Sequence, residues 1–119
     1  MNSIQQSIYK VVEQVSANKG IDIELECCGS NIRLSGVVEA WIRITDYSVC
    51  GLGICVDINS IAIASQYQRR GVFTKLMSLL RLQENIDTII ISSICTTPML
   101  SWCNKNGCTL CGDYTFRYK

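Results

Sequence analysis

The stretch Asp57–Leu80, DINSIAIASQYQRRGVFTKLMSLL, decides the fold. Its first part, Asp57 to Ala64, is dense in β-branched and apolar residues and reads as a strand that enters a polar turn at Ser65-Gln66-Tyr67-Gln68. The period then changes. Val72, Phe73, Leu76, Met77, Leu79 and Leu80 recur at helical spacing and make a broad apolar face over residues 70–84. Downstream, IDTIIISSIC (86–95) is a near-continuous apolar run, as expected of a strand buried on both faces. A strand, a helix and a strand in that order predict a parallel βαβ unit.

Working outward, Ile4, Ile8, Val11, Val12 and Val15 predict an N-terminal helix over 3–18, with Asn2 or Ser3 as its cap and Gly20 as its stop. Residues 21–28 alternate, with Ile21, Ile23, Leu25 and Cys27 on one face and Asp22, Glu24 and Glu26 on the other. Gly29-Ser30-Asn31 predicts a hairpin into Ile32-Arg33-Leu34. Residues 37–64 hold two or three further strands of an antiparallel meander. Pro98 opens a short helix through Lys105, Gly107 caps it, and residues 108–118 form a closing strand. The length of 119 residues, without linker or repeat, predicts a single domain over 1–119.

Composition removes several function classes. A net charge of +1 offers no electrostatic case for nucleic acid. No apolar stretch approaches the ~20 residues that span a bilayer, and MNSIQQSIYKVVEQ is not a signal peptide, so the expected location is the cytoplasm. Histidine is absent, which excludes Ser-His-Asp and Cys-His catalysis. The eight cysteines, several of them in apolar runs, read mostly as reduced structural thiols. Cys108-x-x-Cys111 alone is too little for a zinc site, and no metal is expected.

The turn before the 70–84 helix carries the chemistry. A helix N-terminus presents unpaired N–H groups and a partial positive charge, so it binds phosphate. Gly71 would let the backbone approach a pyrophosphate, and Arg69 and Arg70 add charge. Taken alone, this is also what an ordinary βα turn with two solvated arginines looks like.

Gln68-Arg69-Arg70-Gly71-Val72-Phe73 resembles motif A of the GNAT superfamily of acetyl-CoA-dependent N-acetyltransferases, Gln/Arg-x-x-Gly-x-Gly/Ala. Thr74-Lys75-Leu76 fits as well, and Trp102-Cys103-Asn104-Lys105-Asn106-Gly107-Cys108 resembles the family's Phe-Tyr-Glu-Lys-x-Gly-Phe segment. The resemblance covers residues 56–118. It implies an α/β (α+β) fold: a mixed, mostly antiparallel sheet with a central parallel βαβ unit and helices on both faces. It implies acetyl-CoA as cofactor and an amine acceptor, on a protein or a small molecule, that attacks the thioester directly. The cofactor residues it implies are Ile61, Ala62 and Ile63, through their backbone, and Gln68, Arg69, Arg70, Gly71, Val72, Phe73 and Thr74. Asp57 aligns with a catalytic glutamate of the histone-acetyltransferase branch. Cys103 stands where the family commonly has a tyrosine that protonates the leaving thiolate; Tyr114, Tyr118 or water are substitutes.

Departures from the pattern are Phe73 at the final Gly/Ala, Cys103 itself, and Thr96 near the position of a coenzyme-contacting asparagine. The short front end implies an open acceptor groove, suited to a macromolecular acceptor or completed by a homodimer. Phe73 and Cys103 also favour an alternative, a catalytically inactive GNAT-like module that binds a protein partner.

Overall fold

The computed structural model describes residues 1–92 and 97–119. Helix α1 spans Ser3–Lys19. It begins where Asn2 closes a capping box: the Asn2 side chain accepts from the Gln5 N–H at 2.9 Å, and the Gln5 side chain accepts from the Asn2 N–H at 3.0 Å. Gln5 also donates to the Gly29 carbonyl at 2.9 Å, which ties the start of the helix to the first hairpin. The helix ends at Gly20, whose left-handed backbone closes the last turn.

The strands are β1 Ile23–Cys28, β2 Asn31–Gly36, β3 Val38–Tyr47, β4 Gly53–Ile63, β5 Thr88–Ser92, β6 Thr109–Gly112 and β7 Thr115–Arg117. They form one sheet of order β1-β2-β3-β4-β5-β7-β6. Among the described residues, only β4 and β5 run parallel, Cys55–Asn59 against Thr88–Ser92, with helix α2 (Val72–Arg81) between them in sequence. Helix α3 is Thr97–Lys105. With three helices and a seven-stranded mixed sheet among the described residues, the protein is α+β.

Register sorts the side chains into two faces. Ile42 faces Ile58, Ile44 faces Val56, Val56 faces Ile89, Ile58 faces Ile91, and Ile91 faces Phe116. These residues share one core with Ile8, Val11, Val12 and Val15 of α1 and Val72, Leu76, Met77 and Leu80 of α2. The expectation of helices on both faces is corrected. Trp102 of α3 packs on Phe73 of α2 and on Tyr118. Cys103 of α3 is buried in the same core as Val72, Phe73 and Leu76 of α2, so α3 also lies on the side of α2. The alternation that buries Val38, Ala40 and Ile42 leaves Glu39, Trp41 and Arg43 of β3 on an open polar face. Asp57, Ser92 and Arg117 share that face by register. No helix among the described residues is long and apolar enough to cross a membrane.

Two further expectations change. The single closing strand over 108–118 is a hairpin that turns at Asp113-Tyr114, where Tyr114 has φ 52°. Gly112-Asp113 is the local turn signal. Of the described cysteines, only Cys55 and Cys103 are buried. Cys27, Cys28, Cys50 and Cys111 are exposed, and all seven described cysteines are free. Cys27 comes to the surface because it sits at the outer end of an edge strand, beyond the reach of the core.

A bulge distorts the far end of β4. The β3–β4 register shifts between Glu39 and Trp41, and Ser60 has φ 56°. This extra residue bends the strand, and the described pairs with β5 end at Asn59–Ser92.

Gly36 has φ 102°, and a Cβ there would lie 2.7 Å from the Asp22 carbonyl oxygen. Both the dihedral and the backbone contact oppose a side chain, so Gly36→Ala is expected to destabilise the fold by more than ~1 kcal/mol, measured by urea unfolding.

Candidate functional site

A cleft of about 540 Å³ opens where β4 ends and α2 begins. Its floor is Ile61, Ala62 and Ile63, residues past the bulge; its rim is the turn from Tyr67 to Thr74; its far wall is Pro98, Met99 and Trp102 of α3. Of the ten residues that the resemblance implied for the cofactor, nine line this cleft. Arg70 does not; its exposed guanidinium lies 5.7 Å from the centre of the Tyr67 ring.

The turn is held from within. The Gln68 side chain donates to the Ile63 carbonyl at 2.9 Å, which clamps the strand end to the turn and leaves Gln68 a structural bond to keep. Arg69 adopts φ 62°, a left-handed backbone uncommon outside glycine, and this turns the chain sharply into α2. Gly71, at φ 76°, is the N-cap of α2 and supplies no side-chain cap. The first N–H groups of a helix have no partner within it, and the first turn of α2 has no acidic residue to offset its positive end.

A further cation gathers here. A Cβ on Gly71 would meet Lys19 Nζ at 3.3 Å, so the ammonium at the end of α1 lies over the N-cap of α2. Lys19 serves the negative end of α1 from the same position. With Arg69 on the rim, the site combines two basic side chains with a helix N-terminus, a setting complementary to a multiply charged anion.

Phe73 does not stand in the mouth of the cleft. It is buried, with 8% of its surface exposed, and packs edge-on against Trp102 at 4.7 Å between ring centres. Its bulk repacks the wall and leaves the helix terminus open.

The two residues implied for catalysis lie outside the cleft lining. Asp57 is half-buried on the open sheet face, and its carboxylate accepts a bond from the Ser92 hydroxyl at 2.6 Å. Cys103 faces the core, fully buried, and desolvation followed by the neighbouring Cys108 pushes its thiol up to about 12. A proton-donating role for Cys103 toward a group in the cleft does not fit this placement. Tyr67 is the tyrosine of the cleft lining, whereas Tyr118 stacks behind Trp102. Thr96 lies outside the described residues.

Sequence reasoning missed Lys19, Tyr67, Pro98 and Met99 as parts of the site. Lys19 is 52 residues from Gly71, and no local spacing links them; the α1–α2 packing does. Among the described residues, no group of three or more Cys, Asp or Glu is placed to hold a metal ion.

No family model matches the chain, and no curated protein matches it. Among solved structures the chain is similar to Ard1 from Thermoplasma volcanium, with a TM-score of 0.45 and 15% identity, over 94% of this chain and 88% of that one. A likeness at that level says nothing of activity.

With its thiol raised to about 12, Cys103 carries no appreciable thiolate at pH 8. Iodoacetamide treatment of the native protein at that pH, read by peptide mass spectrometry, is expected to label Cys27, Cys28, Cys50 and Cys111 and to spare Cys103. Labelling of Cys103 at the rate of the exposed cysteines would contradict its burial.

Proposed function

We propose that the chain is an acetyl-CoA-dependent N-acetyltransferase that moves an acetyl group to an amine. One observation carries this reading. Gln68, Arg69 and Gly71 of the Gln-x-x-Gly segment and the residues of the β4 terminus, which resemble a coenzyme A site in sequence, line one cleft whose charged end is a helix N-terminus with Lys19 and Arg69 beside it.

The residues present fit coenzyme A. Its pyrophosphate suits the unpaired N–H groups at the start of α2 and the two cations. Its pantetheine arm suits the apolar floor and wall formed by Ile61, Ile63, Met99 and Trp102. The volume falls within the ~300–1,000 Å³ of ligand pockets. When bound, acetyl-CoA supplies an activated thioester.

The chain's own tasks are binding, orientation and proton removal. An amine must be neutral to attack, and a lysine ammonium has a pKa of ~10.4. Asp57 is the group assigned to take that proton, directly or through water. It lies on the same strand as Ile61, on the face that no described helix covers. Among the described residues, the Ser92 hydroxyl is the side chain that bonds this carboxylate, and it engages one of the two oxygens. Backbone N–H groups past the bulge, near Ile61–Ile63, are the proposed donors to the developing oxyanion.

One observation favours the second reading, a module that holds coenzyme A and a protein partner without turnover: Cys103 is withdrawn from the cleft and leaves Tyr67 or water as donor to the leaving thiolate.

Calorimetric titration with acetyl-CoA is expected to show binding, weakened several-fold by Lys19→Gln and by Arg69→Gln. Absence of binding at about 1 mM, where even a weak ligand gains ~4 kcal/mol, overturns the coenzyme assignment. In a transfer assay, Asp57→Asn is expected to lower the rate ~100-fold with acetyl-CoA affinity unchanged. An undiminished rate removes Asp57 from the mechanism.

A further inference from the structure

Trp102 has two roles in the wall of the cleft. Its ring fills the space between Phe73 and Tyr118, at 4.7 Å and 5.1 Å between centres. Its indole N–H donates to Thr74 Oγ1 at 3.0 Å, across 28 residues of sequence. Packing alone would be met by any large aromatic ring. The hydrogen bond is an additional requirement, and it falls on a hydroxyl of the first turn of α2.

That bond sets the polarity of the hydroxyl. A threonine hydroxyl has one proton and two lone pairs, whereas an indole nitrogen only donates. Once Thr74 Oγ1 accepts from Trp102, the hydroxyl proton must point away from the indole. Thr74 is exposed and lines the same cleft, so the proton is presented as a donor beside the N–H groups of the helix terminus. Without Trp102 the hydroxyl turns freely and spends part of its time with a lone pair toward the anion.

We propose that Trp102 is a positioning residue that orients the Thr74 hydroxyl as a hydrogen-bond donor to an anionic oxygen of the ligand, and so couples α3 to the charged end of the cleft. The inference rests on the coenzyme reading and goes beyond it, because it assigns α3 a part in anion binding and names the atom through which it acts.

The probe is acetyl-CoA, titrated by calorimetry into the wild type, Trp102→Phe, Thr74→Val and the double variant. Phenylalanine keeps the ring and removes only the N–H, and circular dichroism verifies that each variant is folded. Trp102→Phe is expected to weaken binding about fivefold and Thr74→Val about tenfold, the size of one net hydrogen bond. The double variant is expected to be no weaker than Thr74→Val alone, because both changes act through one hydroxyl. Multiplied losses, or wild-type affinity in Trp102→Phe, overturn the proposal while leaving the coenzyme reading intact. Absence of binding by the wild type overturns both. As a second readout, Trp41→Phe leaves Trp102 as the sole tryptophan. Its emission is expected to shift on binding; a calorimetric signal with unchanged emission counts against Trp102.

Discussion

Everything in this molecule hangs on β4 and its two unlike neighbours. Along Cys55–Asn59 it pairs antiparallel with β3 on one side and parallel with β5 on the other. Val56 and Ile58 are fully buried at the centre of that arrangement, flanked by Ile42 and Ile44 on one strand and by Ile89 and Ile91 on the next. Each such side chain contributes about 1.5–3 kcal/mol through burial. Parallel pairing requires a crossover, and the crossover is α2. Its apolar stripe must return to this same row, and its N-terminus is thereby delivered to the end of β4.

The cleft arises from two local departures from regularity. The extra residue at Ser60 takes β4 out of its plain alternation just after its described pairing with β5 ends. The left-handed Arg69 then bends the turn so that α2 starts beside the strand end. Neither residue is glycine, so each conformation has a cost that the surrounding pairing and the Gln68–Ile63 bond must offset. A helix that began with a serine or aspartate cap would have turned a side-chain oxygen onto one of its own first N–H groups. This one begins with Gly71 and leaves them available to a ligand.

Much of this was legible in the chain itself. The capping residues of α1, the Gly29-Ser30 hairpin, the change of period at Arg70 and the buried run after Ile86 are local patterns, and local patterns are what side-chain periodicity and turn chemistry encode. The hairpin that turns at Tyr114 was obscured because its positive φ falls on a tyrosine, next to the glycine and aspartate that signal the turn. The one-sided placement of the helices was not legible, because it depends on which side of the sheet α3 takes, and local spacing does not encode that choice. In the site, the turn around Gly71 could be read from residue types. Lys19 and the bond from Trp102 to Thr74 could not, since both join residues distant in sequence through tertiary packing. Cys103 illustrates the converse: the resemblance implied a role at a reacting centre, and the side chain lies buried in the core.

The ends of the sheet have a consequence for the protein's company. An open sheet presents bare backbone donors and acceptors along its outermost strands, and these invite another chain to add itself. Here the outermost strands are β1 and β6. β6 spans only Thr109–Gly112, and its register with β7 is already broken between Leu110 and Gly112, so a newcomer finds a short and crooked template. β1 is longer, but it carries exposed Glu24 and Glu26 on one side of the strand. A second copy laid alongside would bring carboxylates together. Like charge at one margin and broken register at the other let the sheet stay open without becoming a seed for its own polymerisation.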